Sequence, residues 1–323
     1  MKRTLSGIQP TGIIHLGNYF GAIHNWLPLQ KEYDCLFFIA DLHALTVFQK
    51  PEILHRNILN LTKLYLAVGL DPVKNIIFKQ SAVKEHVELG WLLDCVTPIS
   101  ELERMTQFKD KSEQHKENIN AGLFTYPCLM AADILLYDTD LVPVGEDQAQ
   151  HVELTRTIAK KFNNQYGDVL KIPAALINKV SARLKGLDDP MKKMSKSAPS
   201  DYNYIAMTDS PDLIRKKIKK AVTDSGTEIK FTAEQPALEN LITIYHLTTG
   251  KSIEQIEKDF AGKGYGDFKK ELAERIVEFL LPIQEKYNAI SDADVEKILA
   301  TGAERAKKIA QAKMLVVNQI VGL

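Results

Sequence analysis

The chain has 323 residues, 45% apolar and 25% charged, and its 41 basic and 41 acidic side chains give a formal net charge of zero. That make-up predicts an ordinary two-domain protein with a large core, and it excludes nucleic-acid binding by bulk charge: no DNA partner is expected, and any RNA contact needs a local basic patch. No apolar run approaches membrane-spanning length, the N-terminus MKRTLSGIQP lacks a signal core, and Cys35, Cys95 and Cys128 form no CxxC pair, so a cytoplasmic protein without membrane contact or structural metal is expected.

Residues 6–22, SGIQPTGIIHLGNYFGA, carry the first sign of chemistry. Arg3-Thr4-Leu5 reads as the end of a strand. Gly7, Pro10 and Gly12 break regular structure, and Tyr19, Phe20, Ala22, Ile23, Trp26 and Leu27 follow at helical spacing. Such a junction aims backbone N–H groups at whatever binds above it, typically a phosphate. The glycine spacing matches neither a Walker loop nor GxGxxG, so the residues alone leave a nucleotide site and a plain turn both open.

Residues 34–41 predict a strand buried on both faces, as in a parallel sheet, ending at Asp41 and His43. Ligands sit beyond the carboxyl ends of such strands, so His43 is either a substrate contact or a helix cap. Residues 51–68 predict a helix and residues 75–80 a second strand, with Ser81 placed to cap the helix that follows. The alternation implies a doubly wound sheet. Residues 101–122 are strongly polar and read as a solvated face, or as a source of a lysine reaching nucleotide phosphates.

Residues 125–137, TYPCLMAADILLY, predict a buried helix with one carboxylate, Asp133, in its middle. A buried carboxylate needs donors. Tyr126, Met130 and Asp133 share one face at i, i+4 and i+7, which makes either a pocket wall or a structural carboxylate. Residues 141–144 predict a strand running into Gly145-Glu146-Asp147-Gln148, where the acids cap a helix or hold ribose hydroxyls and Gln148 meets a polar substrate group. Residues 169–177 predict a last strand. A turn-rich stretch leads to the basic loop at 191–199, and only helices follow, over 212–222, 237–247, 253–260, 268–287 and 293–321. The basic run Arg215-Lys-Lys-Ile-Lys-Lys220 has few acidic sequence neighbours; it reads as a solvated face or a phosphate-backbone contact.

His15-Leu-Gly-Asn18 together with Lys193-Met-Ser-Lys-Ser197 resembles the paired signatures of class I aminoacyl-tRNA synthetases. The fuller strings GIQPTG, HLGNYFGA, MAADILLY and VPVGEDQ, with TQFKDK, AVTDSG and GKGYG, are similar to the bacterial tryptophanyl-tRNA synthetase family along essentially the whole chain. The resemblance implies an α/β, Rossmann-like (HUP-type) catalytic domain over 1–190, with the helix end at 310–323 packing back on it, and a helical tRNA anticodon-binding domain over 191–309. It implies activation of L-tryptophan by ATP accompanied by Mg2+, transfer to tRNA(Trp), and a homodimer.

By the same resemblance, His15, Lys111, Lys193 and Lys196 would be catalytic. ATP would be held by Gln9, Pro10, Thr11, Gly17, Asn18, Gly145, Glu146, Asp147, Leu184, Met194, Ser195 and Ser197 beside the two lysines. Tryptophan would lie among Leu5, His43, Tyr126, Met130, Asp133, Val142, Val144 and Gln148. Asp133 would accept the indole N–H, a donor with no acceptor capacity. Leu5 and Leu42 stand where the family commonly has phenylalanine and glutamine. A tyrosine-activating relative and a non-catalytic tryptophan- or RNA-binding relative are the competing readings; the intact His15, Lys193 and Lys196 argue against the second.

Overall fold

The computed structural model describes residues 1–106, 120–145, 148–177 and 184–323. Five short strands form one parallel sheet: β1 (Arg3–Ile8), β2 (Asp34–Ile39), β3 (Ile76–Lys79), β4 (Leu141–Val144) and β5 (Ala174–Ile177), in the order β3-β2-β1-β4-β5. The chain builds outward from β1 to β3, then returns to build β4 and β5 on the other side. This is the expected doubly wound, Rossmann-like topology, with its switch point between β1 and β4. β1 pairs with β2 from Arg3↔Asp34 to Ile8↔Ile39, and with β4 at Thr4↔Leu141. β2 is buried from Cys35 to Ile39, as a central parallel strand must be.

Two predicted features differ. β5 covers only Ala174–Ile177, because its sole partner, β4, offers four residues, Leu141–Val144. Ser81 does not cap the Glu85–Val96 helix, whose N-cap is Lys84. Ser81 instead turns back to the end of β2, where its backbone N–H donates to Asp41 Oδ1 at 2.9 Å and its hydroxyl donates to Asp41 Oδ2. The buried Asp41 thereby ties together the carboxyl ends of two neighbouring strands.

Packing divides the chain into two compact units. Unit 1 contains Met1–Thr11, Trp26–Lys179 and Ser291–Leu323; unit 2 contains Gly12–Asn25 and Val180–Ile290. Unit 1 holds the whole sheet. The Ala121–Leu135 helix packs between the helices Glu85–Val96 and Ala149–Tyr166, and the Asp292–Val321 helix lies along β3. Unit 2 holds the helices Pro211–Lys220, Pro236–Thr249, Ile253–Asp259 and Tyr265–Ala289. Its core joins Tyr245, Phe260 and Phe268, and Tyr19 and Phe20 pack on Phe279.

The Asp292–Val321 helix approaches the sheet without a side chain between. A Cβ at Gly302 would lie 1.8 Å from the Ile77 carbonyl oxygen. Ala303, Ala306 and Ala310 continue the small-residue stripe, and Met314 and Val317 carry the same buried face further along the helix. Arg305 fastens the crossing by donating to the carbonyls of Pro72 at 3.1 Å and Asn75 at 2.8 Å.

Alanine favours a helix interior over glycine by about 1 kcal/mol, whereas forcing the helix off the strand backbone costs more. Gly302→Ala is therefore expected to destabilise the protein by about 2–4 kcal/mol in urea unfolding. Gly266→Ala, at a helical glycine with open space around it, serves as the control and is expected to be neutral or slightly stabilising.

Candidate active site

The glycine-broken segment after β1 and the basic loop meet in unit 2. Leu16 N–H donates to the Ile205 carbonyl at 3.0 Å and Met207 N–H to the Ile14 carbonyl at 2.9 Å, so residues 14–16 run antiparallel beside 205–207. His15 N–H donates to Asn18 Oδ1 at 3.2 Å, closing the first turn of the Leu16–Asn18 helix. Gly17 permits the crowding: a Cβ there would lie 3.0 Å from His15 Nδ1 and 3.5 Å from Met194 Cβ. At Gly12, φ is +125°, and a Cβ would lie 3.2 Å from Lys196 Nζ. The loop can pass this close to the ammonium because glycine accepts that backbone angle and brings no side chain.

The basic loop is anchored from both sides. Met194 is buried, and its N–H donates to the Leu184 carbonyl at 3.0 Å. Ser195 N–H donates to Asn203 Oδ1 at 2.8 Å, and Asn203 Nδ2 donates to Asp188 Oδ1. On either side of these two adjacent anchors the chain carries Lys193, and Lys196 with Ser197. The His15 imidazole is buried, and its Nδ1 has no hydrogen-bond partner among the described residues. Burial, followed by the charges of Lys193 and then Lys196, lowers its pKa from 6.5 to about 4. His15 is therefore a neutral ring beside two cations, an arrangement that suits an anion with several oxygens. Behind it lies a buried ion pair: Lys217 Nζ donates to Asp209 Oδ2 at 2.6 Å and lies 4.6 Å from the Tyr204 ring centroid, and the Tyr204 ring in turn contacts His15.

The basic run 215–220 is more neutralised than its sequence suggests. Arg215 pairs with both Glu274 and Asp212, and Lys217 is buried against Asp209. Lys216 and Lys220 flank the Tyr202 ring, and Lys219 is exposed.

A different chemistry occupies unit 1, beyond the carboxyl ends of β2 and β3. Asp133 is 1% exposed yet holds three donors. Gln80 Nε2 lies 2.7 Å and His86 Nδ1 2.6 Å from Oδ1, and His43 Nε2 lies 2.8 Å from Oδ2. Burial raises the carboxyl pKa, but the His43 hydrogen bond and the interactions with His86 more than offset it, and the net shift is downward. Asp133 is thus a buried, ionised acceptor. His43 also meets the edge of the Tyr126 ring, and the Tyr126 hydroxyl lies 2.7 Å from His151 Nε2. Leu5 and Val142 are buried on adjacent strands, and Met130 and Val144 pack against the same hydrophobic core. Gln148 begins the Ala149–Tyr166 helix, its N–H bonded to the Gly145 carbonyl at 3.0 Å.

Among the predicted site residues, the structure brings His15, Gly17, Lys193, Met194 and Lys196 together, and separately His43, Tyr126 and Asp133. Gln9, Pro10 and Thr11 follow β1 in unit 1, with Thr11 N–H donating to the Gln9 carbonyl at 2.9 Å. Lys111, Glu146 and Asp147 lie outside the described residues. Sequence reading missed Gln80, His86, Asn203 and the Asp209–Lys217 pair. Gln80 closes an apolar strand, the same position that singled out His43; nothing in the local pattern marks His86, Asn203 or Asp209, and Lys217 reads only as part of the basic run.

The depressed pKa of His15 has a stability consequence. The folded ring stays neutral down to about 4, whereas the unfolded ring protonates near 6.5. Its contribution is complete above the unfolded value and is lost as pH falls through the folded one. Between about pH 7 and about pH 4.5, His15→Gln should lose less stability than the wild type, by on the order of 2–3 kcal/mol in urea unfolding. Parallel pH curves would show that His15 titrates as an ordinary surface histidine.

The family model described as "tRNA synthetases class I (W and Y)" matches residues 1–281. The tryptophan–tRNA ligase of Wolinella succinogenes is 52% identical over 324 residues, covering 100% of this chain and 99% of that protein. The tryptophanyl-tRNA synthetase structure from Mycoplasma pneumoniae superposes with a TM-score of 0.91 at 39% identity, covering 100% of this chain and 98% of that one. The Campylobacter jejuni enzyme, solved with ADP and tryptophan, gives a TM-score of 0.87 at 40% identity, covering 99% and 100%. Whole-length likeness at this level, together with the two clusters described above, leads to one conclusion: the chain belongs to the tryptophan–tRNA ligase family of class I tRNA synthetases.

Proposed function

We propose that the protein activates L-tryptophan with ATP and transfers it to the 3′ end of tRNA(Trp), with its two clusters dividing the work. The observation that carries this reading is Asp133, a buried ionised carboxylate beside an aromatic and apolar wall. Indole offers one N–H donor and no acceptor, and this site offers the complement. Phenylalanine would leave the carboxylate short of a donor, at a cost of roughly 1–3 kcal/mol or more. That penalty selects the substrate without an editing step. Leu5, Met130, Val142 and Val144 would line the ring, and Tyr126 and Gln148 would hold the amino group, with His43 closing the pocket.

The tryptophan carboxylate attacks the α-phosphorus of ATP, forming the acyl phosphate bond and releasing pyrophosphate. Both reactants are anionic, so positioning and charge stabilisation dominate the barrier. Lys193 and Lys196 would neutralise the charge that grows on the pyrophosphate side, and neutral His15 would hydrogen-bond a phosphate oxygen. The groups that shift His15 are lysines, not carboxylates, which disfavours a protein-held cation there; Mg2+ enters as the counter-ion of ATP, part of the substrate. The ribose hydroxyl at the tRNA 3′ end then takes the acyl group and AMP leaves. The helices over 191–309 would receive the tRNA; Lys216 and Lys220 around Tyr202 support RNA contact there. The cytoplasm is the proposed setting for this chemistry.

A homodimer is proposed from the outer face of Glu85–Val96. Val87, Trp91 and Cys95 repeat at helical spacing and are exposed, Trp91 by 68%, and Ile99 follows at 65%. A second copy covering this stripe would bury it.

Exchange of labelled pyrophosphate into ATP tests the chemistry: tryptophan should support it, and tyrosine and phenylalanine should not. Lys196→Ala should lower the exchange rate by about 10²-fold or more with tryptophan affinity little changed. Exchange with tyrosine, or with no amino acid at all, would overturn the assignment. For the dimer, Trp91→Glu should sediment as a folded monomer where the wild type sediments as a dimer; an unchanged dimer would place the interface elsewhere.

A further inference from the structure

A carboxylate has about four acceptor positions. In Asp133, Oδ1 takes two donors, Gln80 and His86, and Oδ2 takes one, His43. The accounting among the described residues leaves one acceptor position, on Oδ2. Both oxygens are engaged, so the group cannot rotate without breaking short hydrogen bonds.

The donors are themselves oriented. Gln80 Oε1 accepts from Leu42 N–H at 3.2 Å, which fixes which end of the amide faces Asp133. An ionised carboxylate only accepts, so His86 Nδ1 carries hydrogen. In the neutral ring, His86 Nε2 is then an acceptor, and the Tyr137 hydroxyl lies 2.8 Å away to donate. The His86 ring is fully buried among Phe38, Phe78 and Tyr137. Tyr137 in turn is held by its carbonyl, which accepts from Arg3 Nη1 at 2.7 Å. None of these groups belongs to the proposed tryptophan or ATP contacts.

We propose that Gln80, His86 and Tyr137 are positioning residues that aim the remaining Oδ2 lone pair of Asp133, so that selection of tryptophan by its indole N–H depends on a relay that never touches the substrate. The inference rests on the reading of Asp133 as the indole acceptor. A carboxylate held by His43 alone would swing, and a ring without an N–H would lose little by comparison.

The test compares pyrophosphate exchange with L-tryptophan and with 3-benzothienyl-L-alanine, in which sulfur replaces the indole N–H. His86→Leu should raise KM for tryptophan about tenfold or more, with KM for the benzothienyl analogue and for ATP within about twofold, so that discrimination collapses. His86→Asn, which returns an N–H near the Nδ1 position, should restore most of it. Tyr137→Phe removes a single oxygen and serves if His86→Leu does not fold; its discrimination should fall about threefold, with KM for the benzothienyl analogue within about twofold of the wild type. A parallel rise of KM for both amino acids, or an unchanged ratio in folded variants, would overturn the relay. Asp133→Asn separates the two levels. If it leaves discrimination intact, the reading of Asp133 fails; if it abolishes discrimination while the His86 and Tyr137 variants retain it, only the relay fails.

Discussion

The structure depends on keeping one negative charge inside a hydrophobic helix. Asp133 sits in a nearly continuous apolar run, where an unpaired carboxylate would cost several kcal/mol. Its donors come from elements far apart in sequence: His43 after β2, Gln80 after β3 and His86 from the next helix. The sheet must therefore be in register before the charge is satisfied. The acceptor is in effect a readout of correct folding, and the same assembly that tolerates the charge also orients it.

The anionic and cationic halves of the chemistry are built in opposite ways. In unit 1 the charge is fully enclosed and held by three side-chain donors that are themselves buried or hydrogen-bonded. In unit 2 the charges are lysines on a loop, and rigidity is supplied by groups behind them: buried Met194, Asn203 tying Ser195 to Asp188, and the Asp209–Lys217 pair behind Tyr204. In the proposed reaction, selecting an amino acid would require an acceptor that does not move, and handling phosphates that change charge and position would require cations that can follow.

Much of this was legible in residue order. β2 announced itself as an unbroken apolar run, and the strand-end position of His43 made it a candidate before any fold was known. Asp133 stood out because a charge inside an apolar helix demands explanation. What residue order could not supply were its partners: His86 stands among Lys84, Glu85, Val87 and Glu88, and nothing local says that its ring turns inward. The basic run 215–220 misled for the same reason. Local composition counted five cations, whereas Glu274, a residue distant in sequence, and Asp209, a few positions upstream, each claim one of them. β5 fell short because strand length is set by the partner, and β4 has only four residues to offer.

The crossing at Gly302 also sets an order of events. The Asp292–Val321 helix that covers β3 leaves the ribosome after every other element of its unit, and the larger part of unit 2, Val180–Ile290, is made in between. Until those final turns arrive, β3 and its neighbours have a bare apolar face, the kind of surface that recruits chaperones or other nascent chains. Unit 2 has its own core and needs nothing synthesised later to complete it. A chain stalled before the Asp292–Val321 helix would have the helices of unit 2 complete while the sheet of unit 1 still lacked its cover.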